Sequence, residues 1–207
     1  MKLYGFPPSP NTWKVRALAS HLGLSVEHVF VDIRTGEQKR PEFLAISPLG
    51  RTPVLVDGDF ALWESNAILQ YLASKKRTPL WPDDARSRAD ISRWQFWQAR
   101  HWGAQACEQL LFEHLVKGLF GLGQPDPAAV ARAAQAFHTE ARMLEEHLRQ
   151  RSYLVNETLT LADFSVAALL FYTEQARYPL EPYPNIRRWF GTVSAWPFWA
   201  QSAPGRV

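Results

Sequence analysis

Three side chains that can hydrogen-bond an anion, those of Ser9, Asn11 and Thr12, follow the first apolar segment of the chain within Pro8-Ser9-Pro10-Asn11-Thr12. A helix is predicted to begin here. The first turn of an α-helix has backbone amides without intrahelical partners, and the helix dipole makes this end positive. Such a junction can bind an anion. The same side chains can also simply cap the helix, so the segment alone leaves both interpretations open.

A second segment of this kind, Glu64-Ser65-Asn66, stands at the start of a later predicted helix. Ser65 and the helix amides can bind a carboxylate, and Glu64 can bind an ammonium group. Lys39 and Arg51 add cationic groups in the preceding loops. All of these residues are also common in a first helical turn or on a solvated surface, so the pattern alone does not distinguish a ligand site from an ordinary helix start.

Thr52-Pro53 leads into a predicted strand. An X-Pro peptide bond can be cis. With a cis bond, the backbone N–H and C=O of Thr52 could pair with an extended peptide ligand as an added strand does. The alternative is an ordinary trans proline at the entry to a strand.

The elements that must position these segments alternate between strand and helix in the first third of the chain. Val15, Leu18, Ala19 and Leu22 have helical spacing, and Asp57-Gly58 is a strong hairpin signal between two apolar runs. The predicted order is β-α-β, a polar connection, then β-β-α. The predicted strands cover 3–6, 26–33, 54–56 and 60–62, and the helices cover 12–22 and the segment from about 65.

The rest of the chain is predicted to be all-helical after a proline-punctuated linker at 79–84. Thr160 and Asp163 have the spacing of a capping box, for which we predict a structural role. The predicted helices cover 85–115, 127–150, 161–177 and 184–196.

Composition narrows the class of protein. The 207 residues, 46% of them hydrophobic, suit two domains with sizeable cores. One cysteine, Cys107, excludes a disulfide framework and a cysteine-based metal site. The net charge of +3 is spread along the chain, so we expect no nucleic-acid partner and a mild preference for a small acidic ligand. Neither a secretory signal nor a membrane-spanning run is visible, so we expect a cytoplasmic location without membrane association.

The order of these segments resembles the cytosolic glutathione transferase superfamily, in particular its bacterial members with a serine-type loop. The resemblance covers nearly the whole chain and implies an α/β plus all-α protein: a thioredoxin-like, glutathione-binding domain over 1–78 and an all-α domain over 85–207. The segments that carry it are Ser9-Pro10-Asn11-Thr12, Gly36-Glu37-Gln38-Lys39, the run from Ser47 to Val54, the run from Leu62 to Ile68, and Thr160-Leu161-Ala162-Asp163.

The resemblance implies an enzyme that activates the thiol of glutathione for attack on a hydrophobic electrophile. Glutathione-dependent reduction of peroxides or disulfides is an implied side activity. Ser9 is the first candidate to donate a hydrogen bond to the sulfur, Asn11 the second and Thr12 the third, with Tyr4 last. Glutathione is implied as a co-substrate, with no other cofactor and no metal.

Further groups are implied to hold the tripeptide. Glu64 and Ser65 match positions that bind the γ-glutamyl amine and carboxylate, and the backbone of Thr52, before a cis Pro53, would pair with the cysteinyl unit. Lys39 lies among residues near the glycine carboxylate. The implied glutathione-binding residues are Gln38, Lys39, Arg51, Thr52, Pro53, Glu64 and Ser65.

Phe6, Trp97 and His101 are the candidates for a hydrophobic co-substrate site between the two domains. Much of this aromatic stripe could equally be core or dimer interface. A second function on the same fold is a non-catalytic protein that binds glutathione or hydrophobic ligands, which the nine tryptophans would suit.

The resemblance also implies a homodimer. We therefore expect sedimentation at micromolar concentration to give twice the mass of the 207-residue chain. A monomer under those conditions would refute this expectation.

Overall fold

The computed structural model describes residues 1–202, the last three without their side chains. These residues form two compact units: Met1–Trp81 together with the described residues from Trp196 onward, and Pro82–Ala195. The prediction assigned the segment after residue 195 to the helical domain. In the structure, Trp199 packs against Trp13 of the first unit with 4.1 Å between ring centroids, which explains the different grouping. Residues 203–207 of the predicted domain lie outside the described residues.

The first unit contains a four-stranded sheet with strand order β2-β1-β3-β4. β1 and β2 are parallel, which requires a crossover between them, and α1 supplies it. β3 is antiparallel to both β1 and β4. The predicted order β-α-β, β-β-α and the thioredoxin-like fold are thereby confirmed. The elements are β1 (Lys2–Gly5), α1 (Pro10–His21), β2 (Glu27–Phe30), α2 (Pro41–Leu44), β3 (Val54–Asp57), β4 (Phe60–Trp63) and α3 (Ser65–Ser74), with α10 (Pro197–Ser202) after the second unit.

The second unit is helical, as predicted. Its elements are α4 (Ala85–Trp97), a π-helical segment (Gln98–Cys107), α5 (Glu108–Leu111), a second π-helical segment (Phe112–Val116), α6 (Lys117–Leu119), α7 (Pro127–His147), α8 (Leu161–Ala167), a 3-10 segment (Ala168–Tyr172) and α9 (Pro184–Ser194). The predicted helix over 85–115 is therefore interrupted by wider turns, and the predicted helix over 161–177 ends as a 3-10 segment. Apolar periodicity marks which face is buried, and it does not report the winding of the backbone.

A short helix lies where the sequence indicated only a polar connection. α2 follows a 3-10 turn at Glu37–Lys39, begins at Pro41, and buries Phe43 against Val31 and Val54. A proline at the first helical position was the available signal, but four residues are too few for a visible periodicity.

Asp163 is a buried carboxylate that holds the start of α8. It has no exposed surface and accepts hydrogen bonds from the amides of Thr160 (2.9 Å) and Leu154 (3.0 Å) and from Nε1 of Trp189 (2.9 Å). Burial raises the pKa of Asp163 to about 6, although these donors favour the ionised form. The group therefore has the structural role expected of the capping segment.

The raised pKa of Asp163 predicts a pH dependence of stability. Its pKa is about 6 in the folded protein, whereas the ordinary pKa of an aspartate is 3.8, so the folded state binds more protons on this group between these pH values. Its contribution to the free energy of unfolding therefore falls as pH rises through this window, and is constant above it.

Denaturant unfolding of wild type and Asp163→Asn from about pH 4 to pH 8 isolates this group, because asparagine does not titrate. We expect the wild type's free energy of unfolding to fall relative to that of the variant as pH rises, and then to level off. A relative increase with pH would contradict the raised pKa.

Candidate active site

Ser9 occupies the N-cap position of α1. Its backbone is extended (φ −67°, ψ 127°), and its carbonyl accepts the amide of Trp13 at 2.9 Å. Within the described residues its hydroxyl forms no capping hydrogen bond. Pro10 at the first helical position sacrifices no helical hydrogen bond, because that amide has no intrahelical partner. The result is a half-buried hydroxyl at the positive end of α1.

Asn11 connects the N-terminus of α1 to the N-terminus of α3. The hydroxyl of Ser65 donates a hydrogen bond to Oδ1 of Asn11 at 3.2 Å. Ser65 is the first residue of α3, so the bond brings the N-termini of the two helices together. The structure therefore places the two predicted polar segments, separated by more than fifty residues in sequence, at one location.

Thr12 and Tyr4 are positioned differently from Ser9. Thr12 is buried, with 2% of its surface exposed, and its side chain lies so close to Gly5 that a Cβ there would overlap it. Tyr4 packs against the cluster of Val31, Phe43 and Val54. Both side chains therefore serve packing in the first unit, which favours Ser9 and Asn11 as the groups nearest a ligand.

Glu64 begins α3 with an uncommon backbone conformation. Its φ is 71° and its ψ 110°, and its carbonyl accepts the amide of Ile68 at 3.0 Å. A positive φ at a residue with a side chain costs on the order of 1–3 kcal/mol, and such residues cluster at functional sites. The side chain of Glu64 is exposed, so its carboxylate can meet a cationic group.

The loop before β3 is fixed by a residue to which sequence reasoning gave no role. Ser47 is buried, and its hydroxyl donates to the carbonyl of Arg51 at 2.9 Å while accepting the amide of Arg51 at 3.2 Å. The Thr52–Pro53 peptide bond is cis, as the resemblance implied. The side chain of Arg51 is exposed. A serine just before Pro48 is a common turn residue, so its type alone was not a distinctive signal.

Gln38 and Lys39 contact the same loop. Gly50 has a φ of 59°, and a Cβ there would lie 2.8 Å from the carbonyl oxygen of Gln38 and 3.0 Å from Nζ of Lys39. Gln38 also donates to the carbonyl of Ile33 at 3.3 Å. The structure thus brings Gln38, Lys39 and the loop around Gly50 together, with an ammonium group beside that loop.

The three candidates for the co-substrate site are distributed over both units. In the first unit, Phe6 stacks on Phe30, with 6.2 Å between ring centroids. In the second, Nε1 of Trp97 donates to the carboxylate of Glu140 at 2.7 Å, and Nδ1 of His101 lies 3.9 Å from the same carboxylate. Trp97 also stacks on the buried Trp102. Part of the aromatic stripe therefore belongs to the core of the helical unit.

Other chemistries find little support in the described part of the chain. No group of three or more His, Cys, Asp or Glu side chains in residues 1–202 is arranged to hold a metal ion. Cys107 is fully buried, and burial raises the pKa of its thiol well above the usual value, which makes it unreactive. None of the described helices is long and apolar enough to cross a membrane.

Comparison with known proteins identifies the family. Residues 1–74 match the model described as glutathione S-transferase, N-terminal domain, and residues 127–192 match the model of its C-terminal domain. Glutathione S-transferase 3 of Zea mays is 39% identical over 204 residues, which cover 95% of this chain and 90% of the relative. The chain belongs to the glutathione S-transferase family.

Solved structures of the family agree with this assignment. Glutathione transferase F7 from Populus trichocarpa superposes with a TM-score of 0.89 at 27% identity, covering 97% of this chain and 96% of that one. Glutathione S-transferase-I bound with lactoylglutathione superposes with a TM-score of 0.86 at 29% identity, covering 98% and 97%. The resemblance is to plant members of the family more than to the bacterial members that the serine-type loop suggested.

The two glycines with positive φ at Gly50 and Gly58 provide a matched test of the loop. An alanine at either position pays the cost of a positive φ, but only at Gly50 would the added Cβ crowd Gln38 and Lys39. We expect Gly50→Ala to weaken glutathione binding about fivefold or more, since displacing packed atoms costs about 1 kcal/mol or more. Calorimetric titration with glutathione measures this, and equal affinities of the Gly50→Ala and Gly58→Ala variants would contradict it.

Proposed function

We propose that this glutathione transferase binds glutathione on its first unit and activates the thiol with the hydroxyl of Ser9. One observation carries the proposal: the Ser65–Asn11 hydrogen bond brings the positive ends of α1 and α3 together. The hydroxyl of Ser9, at the start of α1, forms no capping hydrogen bond with any described residue. Two such helix ends favour two negative groups. Glutathione ionised at its thiol offers both a carboxylate and a thiolate.

The tripeptide is proposed to bind residues of the first unit. At the head of α3, the backbone amide of Ser65 donates to the γ-glutamyl carboxylate while the Ser65 hydroxyl stays bonded to Asn11. The exposed carboxylate of Glu64 pairs with the α-ammonium group. The backbone of Thr52 pairs with the cysteinyl unit. Lys39, beside the loop at Gly50, attracts the glycine carboxylate, and Gln38, Arg51 and Pro53 complete the proposed contacts.

The chemical step needs a thiolate. A free thiol has a pKa near ~8.5, so only a small fraction is ionised at neutral pH. A hydrogen bond from Ser9 to the anionic sulfur is worth about 1.5–3 kcal/mol, which lowers the pKa by about one to two units. The proton leaves to solvent, and the sulfur forms a bond to an electrophilic carbon. In a substitution a leaving group departs with its electron pair, whereas in an addition the substrate takes up a proton.

The proposals on the second substrate, the oligomeric state, the location and the biological role rest on family membership. We propose that the electrophile is hydrophobic and binds near Phe6, Trp97 and His101, that the enzyme is a cytoplasmic homodimer, and that it serves detoxification. Reduction of peroxides or disulfides is a side activity that the same activated thiol would support.

A non-catalytic binding protein is not the favoured alternative. The relatives that match nearly the whole chain are named glutathione S-transferases. The half-buried hydroxyl of Ser9 is also the group that we propose to activate the thiol, which a protein that only binds glutathione would not need.

Replacement of Ser9 tests the mechanism. We expect Ser9→Ala to lower kcat/KM with a generic electrophile by about ten- to a hundredfold, the equivalent of one charge-assisted hydrogen bond. Its pH–rate profile should also move to higher pH, because the bound thiol becomes less acidic.

Ser20→Ala is the matched control, because Ser20 lies exposed near the other end of the same helix. Asn11→Ala tests the second candidate. If Ser9→Ala keeps the wild-type kcat/KM and pH profile, the proposed activation by Ser9 is wrong, and a loss in Asn11→Ala alone would assign it to Asn11.

A further inference from the structure

Lys14 is a charged residue with no exposed surface, and it lies among the largest fully buried side chains of the described residues. Lysine is almost never fully buried, because the ammonium group loses its hydration. A methionine of similar length would avoid that cost at this position. A buried lysine that destabilises the interior is expected to have a function that offsets this cost. Lys14 belongs to α1, the helix that begins after Ser9.

The contacts of Lys14 lead to the ligand site. Its Nζ donates a hydrogen bond to Oδ1 of Asn66 at 2.7 Å. Asn66 is the residue after Ser65, whose hydroxyl bonds Asn11. Asn11 and Lys14 are one helical turn apart on α1 and therefore on the same face. Two hydrogen bonds thus join adjacent residues of α3 to one face of α1.

We propose that Lys14 is a positioning residue for glutathione: its buried ammonium fixes the side chain of Asn66, and with it the head of α3, and places a positive charge behind the two helix ends. This inference rests on the proposed function. A charge within the protein interior acts through a lower effective dielectric than one in water, so it favours the anionic carboxylate and thiolate of the ligand more than a surface lysine would.

A purely structural role predicts a different result from a positioning role. Replacing a buried ionic group by an apolar residue of similar size is often neutral or stabilising. If Lys14 served packing alone, Lys14→Met would change the unfolding temperature and leave the bound thiol unchanged. If Lys14 acts on the ligand, the bound thiol changes even where stability does not.

The test compares Lys14→Met, Lys14→Arg and Lys76→Met with wild type. Lys76 is a matched control because its Nζ also donates to an oxygen of the same unit, the carbonyl of Leu22 at 2.6 Å. The readouts are the Kd for glutathione by calorimetry, the pKa of bound glutathione from thiolate absorbance against pH, and the unfolding temperature.

We expect Lys14→Met to raise the Kd about tenfold and to raise the pKa of the bound thiol, as loss of a nearby positive charge requires. Lys14→Arg should recover most of both effects, and Lys76→Met should show neither. Wild-type Kd and thiol pKa in Lys14→Met would overturn the proposal. So would equal losses in Lys14→Met and Lys14→Arg, since the charge would then not be the cause.

Asn66→Ala keeps the inference testable if Lys14→Met does not fold. It removes the acceptor of the Lys14 hydrogen bond and should raise the Kd for glutathione, whereas an unchanged Kd would count against the proposal. A wild-type protein that does not bind glutathione would instead refute the proposed function, and this inference with it.

Discussion

Two hydrogen bonds between the first two turns of α1 and the first turn of α3 are the constraint on which the site depends. Ser65 bonds Asn11, and Lys14 bonds Asn66. Helix N-termini carry partial positive charge, so placing two of them together, with a buried ammonium beside them, is electrostatically unfavourable in the empty protein. An anionic ligand at this location relieves the repulsion.

The position of the loop before β3, which carries Thr52, depends on the sheet. β3 pairs with both β1 and β4, and its residues Val54 and Leu55 are fully buried. Within the loop before it, the hydroxyl of Ser47 bonds the backbone of Arg51, the residue that precedes Thr52. Ser9 follows β1 and Thr52 precedes β3. The register of these two strands therefore sets the spacing between the group proposed to act on the sulfur and the backbone proposed to pair with the peptide.

The sequence predicted much of this arrangement because its signals are local. Strand order in the chain, the hairpin at Asp57-Gly58 and the helix starts near Ser9 and Ser65 follow from turn residues and periodicity. Lys14 and Ser47 could not be found this way, since a lysine at one helical position and a serine in one loop are common, and only tertiary packing makes them buried. The wider turns after Trp97 were missed for a related reason: apolar spacing tolerates a π-helical turn without a visible change.

The most direct test of the central claim is a crystal structure with glutathione bound. The account predicts the sulfur within hydrogen-bonding distance of the Ser9 hydroxyl, the γ-glutamyl carboxylate on the backbone amide of Ser65, and the cysteinyl backbone paired with Thr52. A sulfur placed nearer to Asn11 or Tyr4 than to Ser9, or a carboxylate bound away from the head of α3, would contradict it.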